Sequence, residues 1–108
     1  MYELQHYGTS DGGDSFGRAL DQIRDKQARA RVAARLIRLQ NGNFGDCRPV
    51  GGGVWELKID WGAGYRVYYA IDGKHVVLLL ETGDKRTQAD DILRAIARWS
   101  EWQGRRKP

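Results

Sequence analysis

The sequence predicts an α+β domain in which a small antiparallel sheet packs against helices. Apolar residues recur at helical spacing before residue 41 and again after residue 87, whereas residues 54–80 follow the patterns of β-strands. The turn signals Gly62-Ala63-Gly64 and Asp72-Gly73 divide that stretch into three strands, which should form a meander. Because the chain has 108 residues, we expect a single domain over residues 1–108.

The N-terminal part is predicted to supply one strand and a helical hairpin. Aromatic residues favour a strand over residues 2–7, and Asp14 or Ser15 can cap a first helix. This helix carries three apolar residues on one face: Phe16, Leu20 and Ile23. A second helix should run from the cap Asp25 to about Gln40. Its apolar residues form two arcs, which predicts packing on two sides: Ala28, Val32, Leu36 and Leu39, and then Ala30, Ala33, Ala34 and Ile37.

The C-terminal part is predicted to contain the meander and a last helix. The glycine-rich stretch 43–53 is interpreted as a loop before the first meander strand. Thr87 and Asp90 resemble a capping box, and the helix that follows has an apolar face of Ile92, Leu93, Ile96 and Trp99. The tail 104–108 is expected to be frayed. With all helices on one face of the sheet, the other face would be partly open and would carry Lys58, Arg66 and Tyr68.

The composition narrows the function classes. Lys and Arg total 18 against 14 Asp and Glu, a net charge of +4, which favours an anionic partner without requiring one. The lone Cys47 and two distant histidines give neither a disulfide nor a zinc pattern, so no metal and no cofactor are expected. No apolar run is long enough for a signal peptide or a membrane span, so we expect a cytoplasmic protein.

Three segments together resemble one known family. They are RDKQARARVAARLIRLQNGNFGDCRPVGGGVWELKI, GAGYRVYYAIDG and LLLETGDKRTQADDI, and the resemblance covers about Phe16 to Trp99. In this order they are similar to the RelE/ParE superfamily of toxins, and in particular to its phage-associated addiction-module killer branch, which is HigB-like and Gp49-like. The chain departs from that branch at Thr82-Gly83, where Gly-Gly is usual, and at Ala19-Leu20, where Trp-Leu is usual.

The resemblance implies a toxin of a type II toxin–antitoxin system with a RelE-like fold. It implies growth arrest by cleavage of mRNA on the ribosome and neutralisation by a helix-turn-helix antitoxin. Operator DNA would be contacted only through that antitoxin, and no membrane is implied. Two alternatives stay open: a non-catalytic, ParE-like inhibitor of DNA gyrase, and an inactive toxin-like module that only binds the antitoxin.

Cleavage of RNA without a metal needs a base for the 2′-hydroxyl, cations for the phosphorane and an acid for the leaving oxygen. Arg66 follows Gly-Tyr as does the arginine with which RelE-type nucleases hold the scissile phosphate, so the resemblance assigns it that role. Lys58 should face Arg66 on the sheet and could act as the base, with Glu56 as the alternative. Lys85 and Arg86 follow the third meander strand and could bind phosphate or supply the acid. For all four cations the simpler interpretation is a solvated surface or an ordinary ion pair.

Further side chains could contact RNA. Tyr68 shares the predicted face of Arg66 and could stack on a base, although packing in the core or on the surface is at least as good an interpretation. Three arginines form a row along the second helix and are either a solvated face or a contact for phosphates or an acidic partner: Arg31, Arg35 and Arg38.

Overall fold

A computed structural model describes residues 1–105 and shows an α+β fold, which confirms the predicted fold class. The elements follow the chain as β1 (Glu3–His6), α1 (Ser15–Asp21), α2 (Lys26–Gln40), β2 (Cys47–Gly51), β3 (Val54–Ile59), β4 (Tyr65–Asp72), β5 (Val76–Gly83), a 3-10 turn (Lys85–Thr87) and α3 (Gln88–Gly104). None of the helices in this part of the chain is long and apolar enough to cross a membrane.

The sheet has five strands in the order β1-β5-β4-β3-β2. The predicted antiparallel meander β3-β4-β5 is confirmed, whereas β1 pairs with β5 in parallel, with Glu3 opposite Val76. The interpretation of residues 43–53 as a loop is wrong, because β2 lies within them and pairs antiparallel with β3. Pro49 is tolerated there because β2 is an edge strand, and Gly51, Gly52 and Gly53 turn the chain with positive φ angles.

Helices α1 and α2 cover one face of the sheet. Asp14 caps α1 by accepting the N–H of Gly17, and Asp25 caps α2 by accepting those of Gln27 and Ala28. One predicted arc of α2 is buried: Ala28, Val32, Leu36 and Leu39. The expectation that its second arc also packs is wrong, since all four residues of that arc are exposed: Ala30, Ala33, Ala34 and Ile37.

Helix α3 covers the opposite face, so the prediction that all helices lie on one side is wrong. It packs through Ala95 and Trp99 against Val54, Leu78 and Leu80. The assignment of Leu93 to the buried face is wrong, because Leu93 is exposed, and the buried face contains Asp91, whose position had not been predicted. The predicted capping bond of Thr87 to its own helix is absent, and Asp84 instead accepts the N–H of Arg86 in the preceding 3-10 turn.

The described chain end is fixed to the body of the domain. Gly104 is the last residue of α3, and Arg105 donates hydrogen bonds to the carbonyl oxygen of Gly8 and to the carboxylate of Glu101. The predicted fraying is therefore wrong for these two residues, and 106–108 lie outside the described residues.

Candidate functional site

A small cavity of about 270 Å³ opens where β2, β3 and β4 meet the first turn of α3. Alternation along β3 places Glu56 and Lys58 on the same face, and the β3–β4 pairing sets Lys58 opposite Arg66. The prediction that Lys58 and Arg66 share a face is confirmed. Six polar side chains line the cavity: Asp46, Arg48, Glu56, Lys58, Arg66 and Gln88.

Glu56 is the buried carboxylate of this cavity and accepts hydrogen bonds from two of the other lining residues. Its side chain is 2% exposed, and its two carboxylate oxygens accept a hydrogen bond from Arg48 Nε at 2.8 Å and one from Gln88 Nε2 at 2.9 Å. Burial pushes the pKa of Glu56 upward, but the bonds from Arg48 and Gln88 and the neighbouring Tyr68 hydroxyl hold the pKa below its usual value. An ionised carboxylate that is already hydrogen-bonded on both oxygens is a poor proton acceptor, so this geometry argues against Glu56 as the base.

Arg66 is held in place on two sides and keeps free donor capacity. Its side chain is 8% exposed, Nη1 donates to the carbonyl oxygen of Gly64 at 2.5 Å, and Nε lies 3.8 Å from Glu56 Oε2. That last distance is too long for a hydrogen bond, and Nε has no hydrogen-bond acceptor among the described residues. A guanidinium that is fixed but incompletely satisfied at a cavity is well suited to an oxyanion.

The loop cations divide between two places. Lys85 lies next to the turn between β3 and β4: its main-chain N–H donates to the carbonyl oxygen of Ala63, and its Cβ lies close to Gly64, whose carbonyl oxygen accepts from Arg66. Arg86 instead lines a larger cavity of about 830 Å³ between α1 and α3, where it pairs with Asp84 at 3.0 Å. The predicted convergence of four cations is therefore incomplete, because neither Lys85 nor Arg86 lines the small cavity.

The predicted RNA contacts lie outside this cavity. Tyr68 is completely buried beneath α3, so its ring cannot stack on a base, and that prediction is wrong. The arginine row is on α2, which covers the opposite face of the sheet. There Arg31 lies over the Trp61 ring at 3.8 Å, Arg35 donates to the carbonyl oxygen of Lys58, and Arg38 is exposed.

Three residues of the cavity were not predicted from the sequence, namely Asp46, Arg48 and Gln88. Arg48 was missed because β2 was interpreted as a loop. A run of three glycines between two short segments is a hairpin signal, and pairing across it would have set Arg48 opposite Glu56. Gln88 is the first residue of α3, and only the packing of that helix onto the sheet brings its amide to Glu56.

Comparison with known proteins identifies the family. Residues 15–100 match the family described as phage derived protein Gp49-like (DUF891). The chain belongs to this family. An uncharacterized protein of Haemophilus influenzae is 46% identical over 81 residues, which cover 75% of this chain and 82% of that protein. The Gp49-like family is a family of RelE-like toxins, which confirms the expected superfamily and indicates a toxin–antitoxin-related function with an antitoxin partner.

Proposed function

We propose that this Gp49-like protein is a HigB-like toxin of a type II toxin–antitoxin system and acts as an endoribonuclease on ribosome-bound mRNA. The observation that carries the proposal is the cavity in which Arg48, Lys58 and Arg66 surround the buried carboxylate of Glu56. A surface that only blocked gyrase would need shape complementarity and no preorganised anion site. Operator DNA would be bound through a helix-turn-helix antitoxin.

Four side chains of the cavity receive a role. The guanidinium of Arg66 holds the scissile phosphate, with Arg48 as a second cation at the exposed rim. Lys58 is the exposed amine on the same face, and we assign it to the proton of the 2′-hydroxyl. Glu56 is a positioning residue, because it fixes Arg48, Arg66 and Gln88 without facing solvent.

The cleavage step needs no cofactor in this proposal. The 2′-oxygen attacks the phosphorus while its proton passes to Lys58. The bond from phosphorus to the 5′-oxygen breaks, and that oxygen takes a proton from Lys85, whose Cβ lies next to Gly64. The products are a 2′,3′-cyclic phosphate and a 5′-hydroxyl. The developing negative charge on the phosphorane is stabilised by Arg66 and Arg48.

Primer extension on a reporter mRNA in cell-free translation tests the proposal. Purified protein should produce cuts when ribosomes translate the message and none on the naked message. Lys58→Ala should slow cutting by about 10²–10⁴-fold, the range expected for loss of a positioned proton-transfer group. Arg48→Ala should slow cutting by a smaller factor, and Arg86→Ala should leave it almost unchanged, since Arg86 lies at the other cavity.

Lys74→Ala is the matched control, because Lys74 is an exposed lysine on the β4–β5 turn and distant in the sheet from the cavity. It should cut as fast as the wild type. Intact mRNA with normal protein synthesis would overturn the nuclease proposal, and inhibition of purified gyrase would then establish the ParE-like alternative. Full activity of a folded Lys58→Ala variant would remove Lys58 from the mechanism.

A further inference from the structure

The outer surface of α2 is an apolar stripe that no described residue covers. It consists of residues at positions i, i+3, i+4 and i+7 of the helix, all of them exposed: Ala30, Ala33, Ala34 and Ile37. Ile37 is the large aliphatic side chain of this stripe, and it is 59% exposed. This spacing matches the anchor positions through which two helices pack.

The charges around this stripe have one sign. Helix α2 contains five cationic residues and no acidic one: Lys26, Arg29, Arg31, Arg35 and Arg38. Arg31 stacks on Trp61 and Arg35 donates to a main-chain carbonyl, but the remaining three make no ion pair within residues 1–105. At about 100° per residue, Arg29 and Arg38 lie about 90° on either side of the stripe. The apolar centre is thus bordered by unpaired cations on both sides.

We propose that the outer face of α2 is the docking site for an acidic amphipathic helix of the antitoxin. This inference rests on the antitoxin partner named in the proposed function. Charge complementarity selects an acidic partner, and the apolar centre selects a protein helix over a nucleic-acid backbone, which would need cations in place of Ala33 and Ile37. A second copy of this chain is a poor occupant, because it would bring two cationic helices together.

The docking surface and the RNA cavity lie on opposite sides of the sheet. The inner arc of α2 packs on the face that contains Leu57 and Val67, whereas Lys58 and Arg66 point to the face under α3. Substitutions on the outer face of α2 should therefore change antitoxin binding without changing mRNA cleavage. This separation makes the proposal testable independently of the catalytic assignment.

The experiment measures affinity for the antitoxin by titration calorimetry at low salt. The probe is a purified helix-turn-helix antitoxin, the partner that the proposed function requires. The double variant R29E/R38E and the single variant Ile37→Glu should each bind at least about tenfold more weakly than the wild type. For the double variant the difference should shrink as salt is added, because the lost interactions are between exposed charges. Lys74→Glu, an exposed charge reversal away from α2, should bind normally.

Circular dichroism confirms that each variant is folded, and the cell-free assay measures its nuclease activity. Affinities within about twofold of the wild type for both α2 variants would overturn the docking site. Normal antitoxin binding together with lost mRNA cleavage would also overturn it and would make α2 an RNA contact. If the wild type cuts no mRNA but the variants still lose the antitoxin, the proposed nuclease fails while the docking site stands.

Discussion

The sheet face under α1 and α2 is lined by apolar and aromatic side chains, whereas the face under α3 combines an apolar half with a row of buried polar residues. The first face includes Leu57, Val67 and Leu79 with no buried charge among them. On the second face, Glu56 pairs across the strands with Tyr68, and Tyr68 pairs with Glu81. The same strands therefore build a conventional core on one side and a charged layer on the other.

The buried carboxylates of this polar layer each have hydrogen-bond partners, which explains how the fold tolerates them. Glu81 accepts a hydrogen bond from Arg94 at 3.1 Å and forms an ion pair with Arg98 at 3.2 Å, and Asp91 accepts from Thr87 and Arg94. Burying charges is unfavourable unless such partners are present. The apolar contacts of Trp99 and Ala95 hold the rest of α3. We therefore expect the α1–α2 face to supply most of the stability, whereas the α3 face holds the polar groups of the proposed site in fixed positions.

The largest expected effect is on the apolar face. Leu79→Ala removes a side chain that is 1% exposed and should lower the free energy of unfolding by about 2–5 kcal/mol, because it leaves a cavity in the core. Urea unfolding measures the loss. Ile71→Ala, on β4 at the exposed end of the same face, is the matched control and should cost much less. Equal losses for the two variants would contradict the assignment of stability to the covered core.

A smaller, pH-dependent effect is expected on the polar face. Hydrogen bonds from Arg48 and Gln88 outweigh burial and lower the pKa of Glu56, so its ionised form contributes stability that is lost as pH falls below the usual range of a glutamate. Burial raises the pKa of Asp91, despite its bonds to Thr87 and Arg94. A carboxyl group with a raised pKa contributes stability at low pH that is lost as pH rises through that pKa.

Glu56→Gln and Asp91→Asn should therefore show opposite trends in urea unfolding between about pH 3 and pH 7. The advantage of the wild type over Glu56→Gln, about 1–3 kcal/mol at neutral pH, should shrink as the solution is acidified. Its advantage over Asp91→Asn should shrink as the pH is raised. Trends of the same sign for the two variants would contradict the opposite directions in which the pKa of Glu56 and the pKa of Asp91 are shifted.

Sequence patterns predicted the parts of this molecule that follow local rules. The caps Asp14 and Asp25, the buried arc of α2 and the shared face of Lys58 and Arg66 follow from local hydrogen bonding and side-chain periodicity. The placement of α3 could not be predicted from side-chain periodicity, because its buried face mixes Asp91 with Ala95 and Trp99. The buried Asp91 of α3 and the buried Glu81 of β5 become acceptable only because Arg94 donates to both and Arg98 pairs with Glu81.

The same limit applies to the candidate site. Tyr68 looks like an accessible aromatic residue as long as its face is taken to be open, and the packing of α3 buries it. Arg48 lies on β2, which looks like a loop in the sequence because it contains Pro49 and ends in glycines. Its role depends on the pairing of β2 with β3 across the turn. Residues brought together by strand alternation were therefore predictable, and residues brought together by tertiary packing were not.

Analysis of the RNA ends tests the central claim most directly. Message cut during translation by the wild-type protein should be recovered and the chemistry of both new ends determined by mass spectrometry. Attack by the 2′-hydroxyl in the cavity of Lys58 and Arg66 predicts a 2′,3′-cyclic phosphate, or the 3′-phosphate that forms from it, on the upstream fragment and a 5′-hydroxyl on the downstream fragment. A 3′-hydroxyl with a 5′-phosphate would contradict this account, because it requires water and not the 2′-oxygen as the attacking group.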